Sequence, residues 1–168
     1  MAFSEGTATD WLGVAAIDGY GASAALGSLA YGVFVTSMTV GRWYGPQVLD
    51  RFGRVPVLRA SAAGALVGLL IVVQGPGLAT AMLGTVLWGL GTALGFPVGM
   101  SAAADQRSAA AGRVSVVATI GYVAFLSGPP LIGLLGDRVG VLRALSVTAG
   151  LLAVGLLVAS STRGIDED

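Results

Sequence analysis

Cysteine, histidine and lysine are absent from this sequence. Without cysteine there is no disulfide framework and no thiol chemistry, and without histidine there is no imidazole base and no usual transition-metal ligand. No metal or other cofactor is therefore expected. The lack of lysine leaves arginine as the whole basic complement, nine residues balanced by nine acids, so nucleic acid is not an expected partner. Charge of either sign is scarce, at 11% of 168 residues against 55% hydrophobic ones, with a mean hydropathy of +0.84. Soluble domains carry about a quarter charged residues, so this balance indicates an integral membrane protein whose surroundings are a lipid bilayer. The N-terminus has no basic flank and no convincing small-residue cleavage site, so it does not read as a signal peptide.

What is present is a series of apolar runs divided by short polar links. Five runs, residues 22–44, 55–73, 78–100, 114–135 and 142–161, are long enough to cross about 30 Å of hydrocarbon. The expected fold is all-α, a polytopic transmembrane helix bundle of five full spans occupying residues 1–168 as one unit. Residues 1–17 form a partial N-terminal helix in this reading. Phe3, Leu12, Val14 and Ile17 together favour insertion by about 2 kcal/mol, whereas one mid-membrane acid costs about 2.5 to 3.5, and this piece carries Glu5 and Asp10. It would not insert alone, and Glu5 falls close to the middle of the bilayer.

Residues 18–21 and 74–77 read as glycine-rich turns. Gly64 with Gly68, and Gly91 with Gly95 and Gly99, have the small-residue spacing that lets a neighbouring helix approach. Pro97 should kink the third span near its inner end, and Pro129 with Pro130 removes two backbone donors from the fourth. These prolines are hinge candidates, with static bends as the plain alternative.

The most charged link, residues 41–59, gathers Arg42, Arg51, Arg54 and Arg59 around Asp50. Such a density belongs at a membrane face, with Arg42 near enough to a span end to snorkel. Alternating the spans puts Arg42, Arg51, Arg54, Arg59, Arg107, Arg113 and Arg163 on one side and Arg138 and Arg143 on the other. That bias makes the first side cytoplasmic, so the C-terminus lies inside a multi-pass protein of the cell (inner) membrane. A weak echo is also visible. Gly45-Pro46, Asp50-Arg51-x-Gly53 and Val57-Leu-Arg-Ala60 recur as Gly128-Pro129, Asp137-Arg138-x-Gly140 and Val141-Leu-Arg-Ala144 on the opposite face. An inverted repeat and chance similarity both explain it.

Asp50-Arg51-Phe52-Gly53-Arg54, preceded by Gly41-Arg42 and Gly45-Pro46, resembles the Gly-x-x-x-Asp-Arg-x-Gly-Arg loop of the major facilitator superfamily, with Gly45 five residues before Asp50 where the family usually has four. Glu5-Gly6 with Asp10-Trp11 resembles the end of that family's seventh helix, Gly95-Phe96-Pro97 its tenth, and Gly121-Tyr122 with Gly128-Pro129-Pro130 its eleventh. The resemblance covers nearly the whole chain and implies the C-terminal half of a twelve-helix permease. It implies a secondary carrier that moves a small solute by alternating access, with an N-terminal six-helix bundle as the missing partner. Arg42, Gly45, Asp50, Arg51, Gly53 and Arg54 would then form a gating loop, against the plain alternative that they hold topology and cap a span. The other functional reading is a truncated, non-transporting membrane fragment or a helper bundle that packs with a separate N-terminal half.

Glu5 and Asp10 are candidates for proton coupling or for binding a cationic or hydroxylated solute, because intramembrane acids are costly. Five residues apart, they point about 140° apart on a helix, so they do not share one site. The plain alternative leaves both solvated at the outer surface. Trp11, Tyr31, Trp88, Tyr122 and Phe125 are candidates to line a solute cavity, against lipid-facing or packing roles. An enzyme is not expected: Gly133-Leu-Leu-Gly136-Asp137 has the wrong spacing for an intramembrane aspartyl protease, and a serine protease would want a histidine. A small channel would need a polar stripe along one complete span, and none has one.

Overall fold

The computed structural model describes residues 1–105 and 109–159. Arg107, Arg163, the acidic tail and the end of the fifth apolar run lie outside the described residues. The described elements are all helices: α1 (Ala2–Tyr20), α2 (Ala24–Phe52), α3 (Arg54–Gln74), α4 (Leu78–Thr92), α5 (Gly95–Ala104), α6 (Ala110–Val139), α7 (Val141–Ala144) and α8 (Ser146–Val158). Five stretches among them are long and apolar enough to cross a membrane, with α4 and α5 forming one and α7 and α8 another. The fold is an all-α polytopic bundle.

The sixth long helix is α1. It is not among the five candidate spans, yet it is packed into the bundle, with Ser4, Thr7, Ala8, Leu12 and Ala15 buried. Small residues bring it close. Gly6 lies against the Phe125 backbone of α6, Gly13 faces Gly27 of α2, and Gly128 of α6 receives Thr7. Nineteen residues give it a length of about 28 Å. Met1, which precedes it, sits against Gly95 at the start of α5, so α5 continues past the start of α1 for about 14 Å.

The helix α1 runs on through Asp18 and Gly19 and ends at Gly21, whose φ of +66° is the left-handed conformation that glycine adopts without strain. Ser23 then caps α2, its hydroxyl accepting from the Leu26 N–H at 3.3 Å. The link that follows Tyr44 is helical: α2 continues through Pro46 to Phe52, so the arginines project from a helix end rather than from a loop. Gly53, at φ +77° and ψ 167°, ends α2 and begins α3 in a single residue. Gly140, at φ +85° and ψ 148°, does the same between α6 and α7 at the other end of the bundle. The two Asp-Arg-x-Gly copies are thus the same structural device, each placing an arginine in the last turn, where it complements the helix dipole.

The core centres on Trp88, fully buried and edge-on to Phe34 with ring centroids 5.3 Å apart, and continues through Leu12, Leu69, Ile132, Leu145 and Leu152. Helices α3 and α4 meet backbone to backbone where Gly68 opposes Gly84 and Gly91 opposes Ala65. The stripe of Gly91, Gly95 and Gly99 does not serve one neighbour. Because the helix breaks at Ala93–Leu94, Gly91 meets α3, Gly95 meets Met1, and Gly99 has only Val117 nearby, at 3.9 Å. The break lies one turn before Pro97, since a proline ring excludes the carbonyl four residues back. By contrast α6 runs unbroken through Pro129 and Pro130.

Candidate functional site

Two ion-paired assemblies stand out among the described residues of a bundle packed mainly by apolar contacts. The first joins three helices at the depth where α1 begins. Arg42 of α2, its side chain 41% exposed, reaches across to neighbouring helices rather than toward the helix end: its Nη2 donates to Glu5 Oε1 at 2.8 Å, and its Nε donates to the Ala93 carbonyl at 3.3 Å. Gly6, next to Glu5, packs on Phe125, near the middle of the thirty-residue α6. Glu5 is therefore at mid-bundle depth and carries its countercharge with it, which removes most of the penalty of an isolated intramembrane acid.

Asp10 behaves differently. It is exposed, as is Thr9 beside it, whose hydroxyl donates to the Glu5 carbonyl at 2.9 Å. This open sector of α1 is flanked by α2, reached through Gly13 and Gly27, and by α6, reached through Trp11. A carboxylate at that position is too costly to face lipid, so the sector is suited to water or to a polar partner.

The second assembly clasps the bundle at the end where α2 meets α3. Arg54, the first residue of α3, makes a two-pronged ion pair with Asp105 at the end of α5, its Nη2 reaching Asp105 Oδ1 at 3.0 Å and Ser101 Oγ at 3.1 Å. The Arg54 hydrogen bonds hold the Asp105 carboxyl below the usual carboxylate range; burial acts the other way, and the charges of Arg54 and Arg113 add to the lowering. Neither Asp105 nor Ser101 was among the sequence candidates. Their four-residue spacing, which puts both on one helix face, is the signal that could have found them.

The rest of the 41–54 segment is arranged around this clasp. Asp50 is exposed, and no ion pair among the described residues involves it. Arg51 lies over the Phe52 ring, 5.2 Å from its centroid, an exposed cation–π contact. Gly45 is buried against Leu94, and Gly41 against Ala93 and Leu90, so the α2 backbone reaches the break in α4–α5. Together with Tyr44, Phe52 and Gly64 they border an apolar groove of about 580 Å³ between α2, α3 and α4.

The aromatic candidates separate. Trp88 is a core residue whose Nε1 donates to Ser4 Oγ at 2.7 Å. Trp11 is wedged between helices, with Nε1 donating to the Pro129 carbonyl at 2.8 Å and its ring against Gly133. Tyr31 is exposed on α2, and Tyr122 is 63% exposed on α6, tilted against Phe96 at 6.1 Å. Phe125 offers its backbone to Gly6. These five side chains do not converge on one enclosed cavity.

No family model matches the chain. Over 167 residues it is 32% identical to an uncharacterized MFS-type transporter of Yersinia pestis, an alignment that covers 98% of this chain and 42% of the relative. It is 35% identical over 134 residues to an uncharacterized transporter of Sinorhizobium fredii, covering 79% of this chain and 36% of that one. A membrane protein of Rhizobium meliloti, MosC, is 34% identical over 138 residues, or 82% of this chain and 33% of its own length. The chain thus spans less than half the length of these curated relatives. With an all-helical bundle of five membrane-crossing stretches and an almost end-to-end match to an MFS-type transporter, the chain belongs to the major facilitator superfamily and has the extent of a transporter's C-terminal half.

Proposed function

We infer that this bundle is one of the two rocking halves of a secondary carrier, and that it moves a small solute by alternating access against an N-terminal six-helix bundle. The observation that carries the reading is the open sector of α1: Asp10 and Thr9 stand exposed between α2 and α6, with Asp10 about 8 Å along the helix from Glu5 at mid-bundle, where a carboxylate would be costly in hydrocarbon. A second bundle closing over that sector would make a polar path with Asp10 in its wall. Proton coupling through the same acid fits this geometry, with Glu5 held neutral in sum by Arg42. The arginine-rich end faces the cytoplasm of a cell whose inner membrane holds the carrier. The Arg54–Asp105 clasp steadies that end, leaving Asp50 to meet the other bundle in one of the two states.

The test is flux through a full-length carrier containing this bundle, reconstituted in liposomes. Asp10→Asn and Asp50→Asn should each cut initial flux about tenfold or more with insertion and folding unchanged. Undiminished flux in the first variant removes Asp10 from the path, and in the second removes Asp50 from gating.

A further inference from the structure

Pro97 has no N–H, so the carbonyl four residues before it, that of Ala93, loses its helical donor. Ala93 is fully buried in the break between α4 and α5, out of reach of water that would otherwise serve instead. The donor comes from another helix: Arg42 Nε supplies the bond at 3.3 Å while Nη2 of the same guanidinium holds Glu5. Glycines on α2 make the approach possible. A Cβ at Gly41 would lie 2.7 Å from that of Ala93, and one at Gly45 would overlap the Leu94 side chain.

A side chain also serves an orphaned carbonyl at the opposite end of the bundle. The Val72 carbonyl, in the last turn of α3 just before Gly75-Pro76, has no helical donor, and the Tyr20 hydroxyl of α1 donates to it at 2.5 Å.

We propose that Arg42 is a positioning residue: one edge of its guanidinium closes the α4–α5 break and fixes the first turn of α1, so that the placement of Glu5 depends on the hinge at Ala93–Leu94. The guanidinium fork supplies two nitrogens at a fixed spacing, one for each acceptor, whereas a lysine concentrates its donors on a single nitrogen at the end of a flexible stem and does not hold both acceptors in that geometry. The consequence for transport rests on the carrier reading, since only there does coupling α1 to a hinge matter. The contact itself does not depend on that reading.

The test asks whether Arg42 and Pro97, which do not share a bond, are energetically coupled through Ala93. The chain has no cysteine, so Thr9→Cys places a single label on the exposed side of α1 one turn beyond Glu5. In the purified full chain in detergent, Arg42→Lys should raise the maleimide labelling rate of that cysteine severalfold and lower the unfolding midpoint by about 3 °C. Adding Pro97→Ala, which restores an N–H for the Ala93 carbonyl, should abolish both effects of the lysine. It should recover Arg42→Met only in part, because Glu5 still lacks a cation. If Arg42→Met does not fold, the lysine variant, which keeps the charge for Glu5, carries the comparison alone. Equal effects of Arg42→Lys in the Pro97 and Pro97→Ala backgrounds overturn the proposal. Neither readout requires transport, so failure here leaves the carrier reading standing and failure of flux leaves this one standing.

Discussion

At the scale of single residues, glycine and proline set most of what is unusual in this chain. Gly53 and Gly140 each join two helices without a loop, at φ of +77° and +85° with extended ψ, a region that only glycine occupies without strain. Gly53→Ala or Gly140→Ala should cost about 1 to 3 kcal/mol, read from unfolding in detergent. Gly77 is the control. Its φ of −179° is ordinary extended backbone and no atom lies near a Cβ there, so Gly77→Ala should change stability by less than about 0.5 kcal/mol. A charged residue provides a second test. Because Arg54 lowers the Asp105 pKa, the clasp contributes its stability above the unfolded carboxyl value, about pH 4, and loses it as pH falls through the lower folded value. The cost of Asp105→Asn should therefore be the same at pH 7 and pH 5 and shrink only in stronger acid. A cost that already fades between pH 7 and pH 5 would contradict the assigned direction.

Helices pack here by the absence of side chains as much as by their presence. The α3–α4 pair depends on Gly68 and Gly91, where a Cβ would fall on backbone atoms of Trp88 and Ala65 that cannot yield without moving a helix. Gly64 and Gly99 share the sequence spacing but not the crowding, with nearest atoms at 3.7 and 3.9 Å. Gly68→Ala and Gly91→Ala should thus destabilise the bundle by about 1 to 3 kcal/mol, while Gly64→Ala and Gly99→Ala should be close to neutral. Thermal unfolding of the four variants in one detergent distinguishes packing from mere spacing; four equal losses would show that spacing alone decides. Among helices, α1 owes its place to partners rather than to hydropathy. Its acids exclude it from the candidate spans, yet α2 and α6 hold it through Gly13, Gly6 and the Trp11 hydrogen bond.

For the molecule as a whole, charge placement and burial describe two separate features. Arg51, Arg54, Arg59 and Arg113 lie toward the end where α2 meets α3, and Arg138 and Arg143 lie at the other. If this bias sets orientation, a reporter fused after Asp168 should be active in the cytoplasm, and a periplasmic signal would invert every side proposed. Burial is uneven around the bundle. Only 11% of the most apolar stretch of α6 is buried, against 56% for α4–α5. An apolar helix so open is stable only when lipid or another bundle covers it, which agrees with a chain that spans 42% of its Yersinia pestis relative.

The amino-acid sequence by itself determined the membrane setting, the helical class and the resemblance that led to the family, because hydrophobic length and the Asp-Arg-x-Gly-Arg pattern are local properties. It also announced turns at residues 18–21 and 74–77, where α1 and α3 end, although it placed a link at residues 45–54 where α2 continues to Phe52. Only the tertiary structure decided who satisfies whom. That Arg42 reaches across to Glu5, that Arg54 finds Asp105, that Arg42 serves the Ala93 carbonyl which Pro97 deprives, and that Tyr20 serves the Val72 carbonyl at the end of α3 are pairings across 37 to 52 residues of chain. No local pattern encodes them, because a hydrogen-bond partner on another helix is chosen by depth and rotation in the bundle, and those follow from how closely the glycine faces allow the helices to meet.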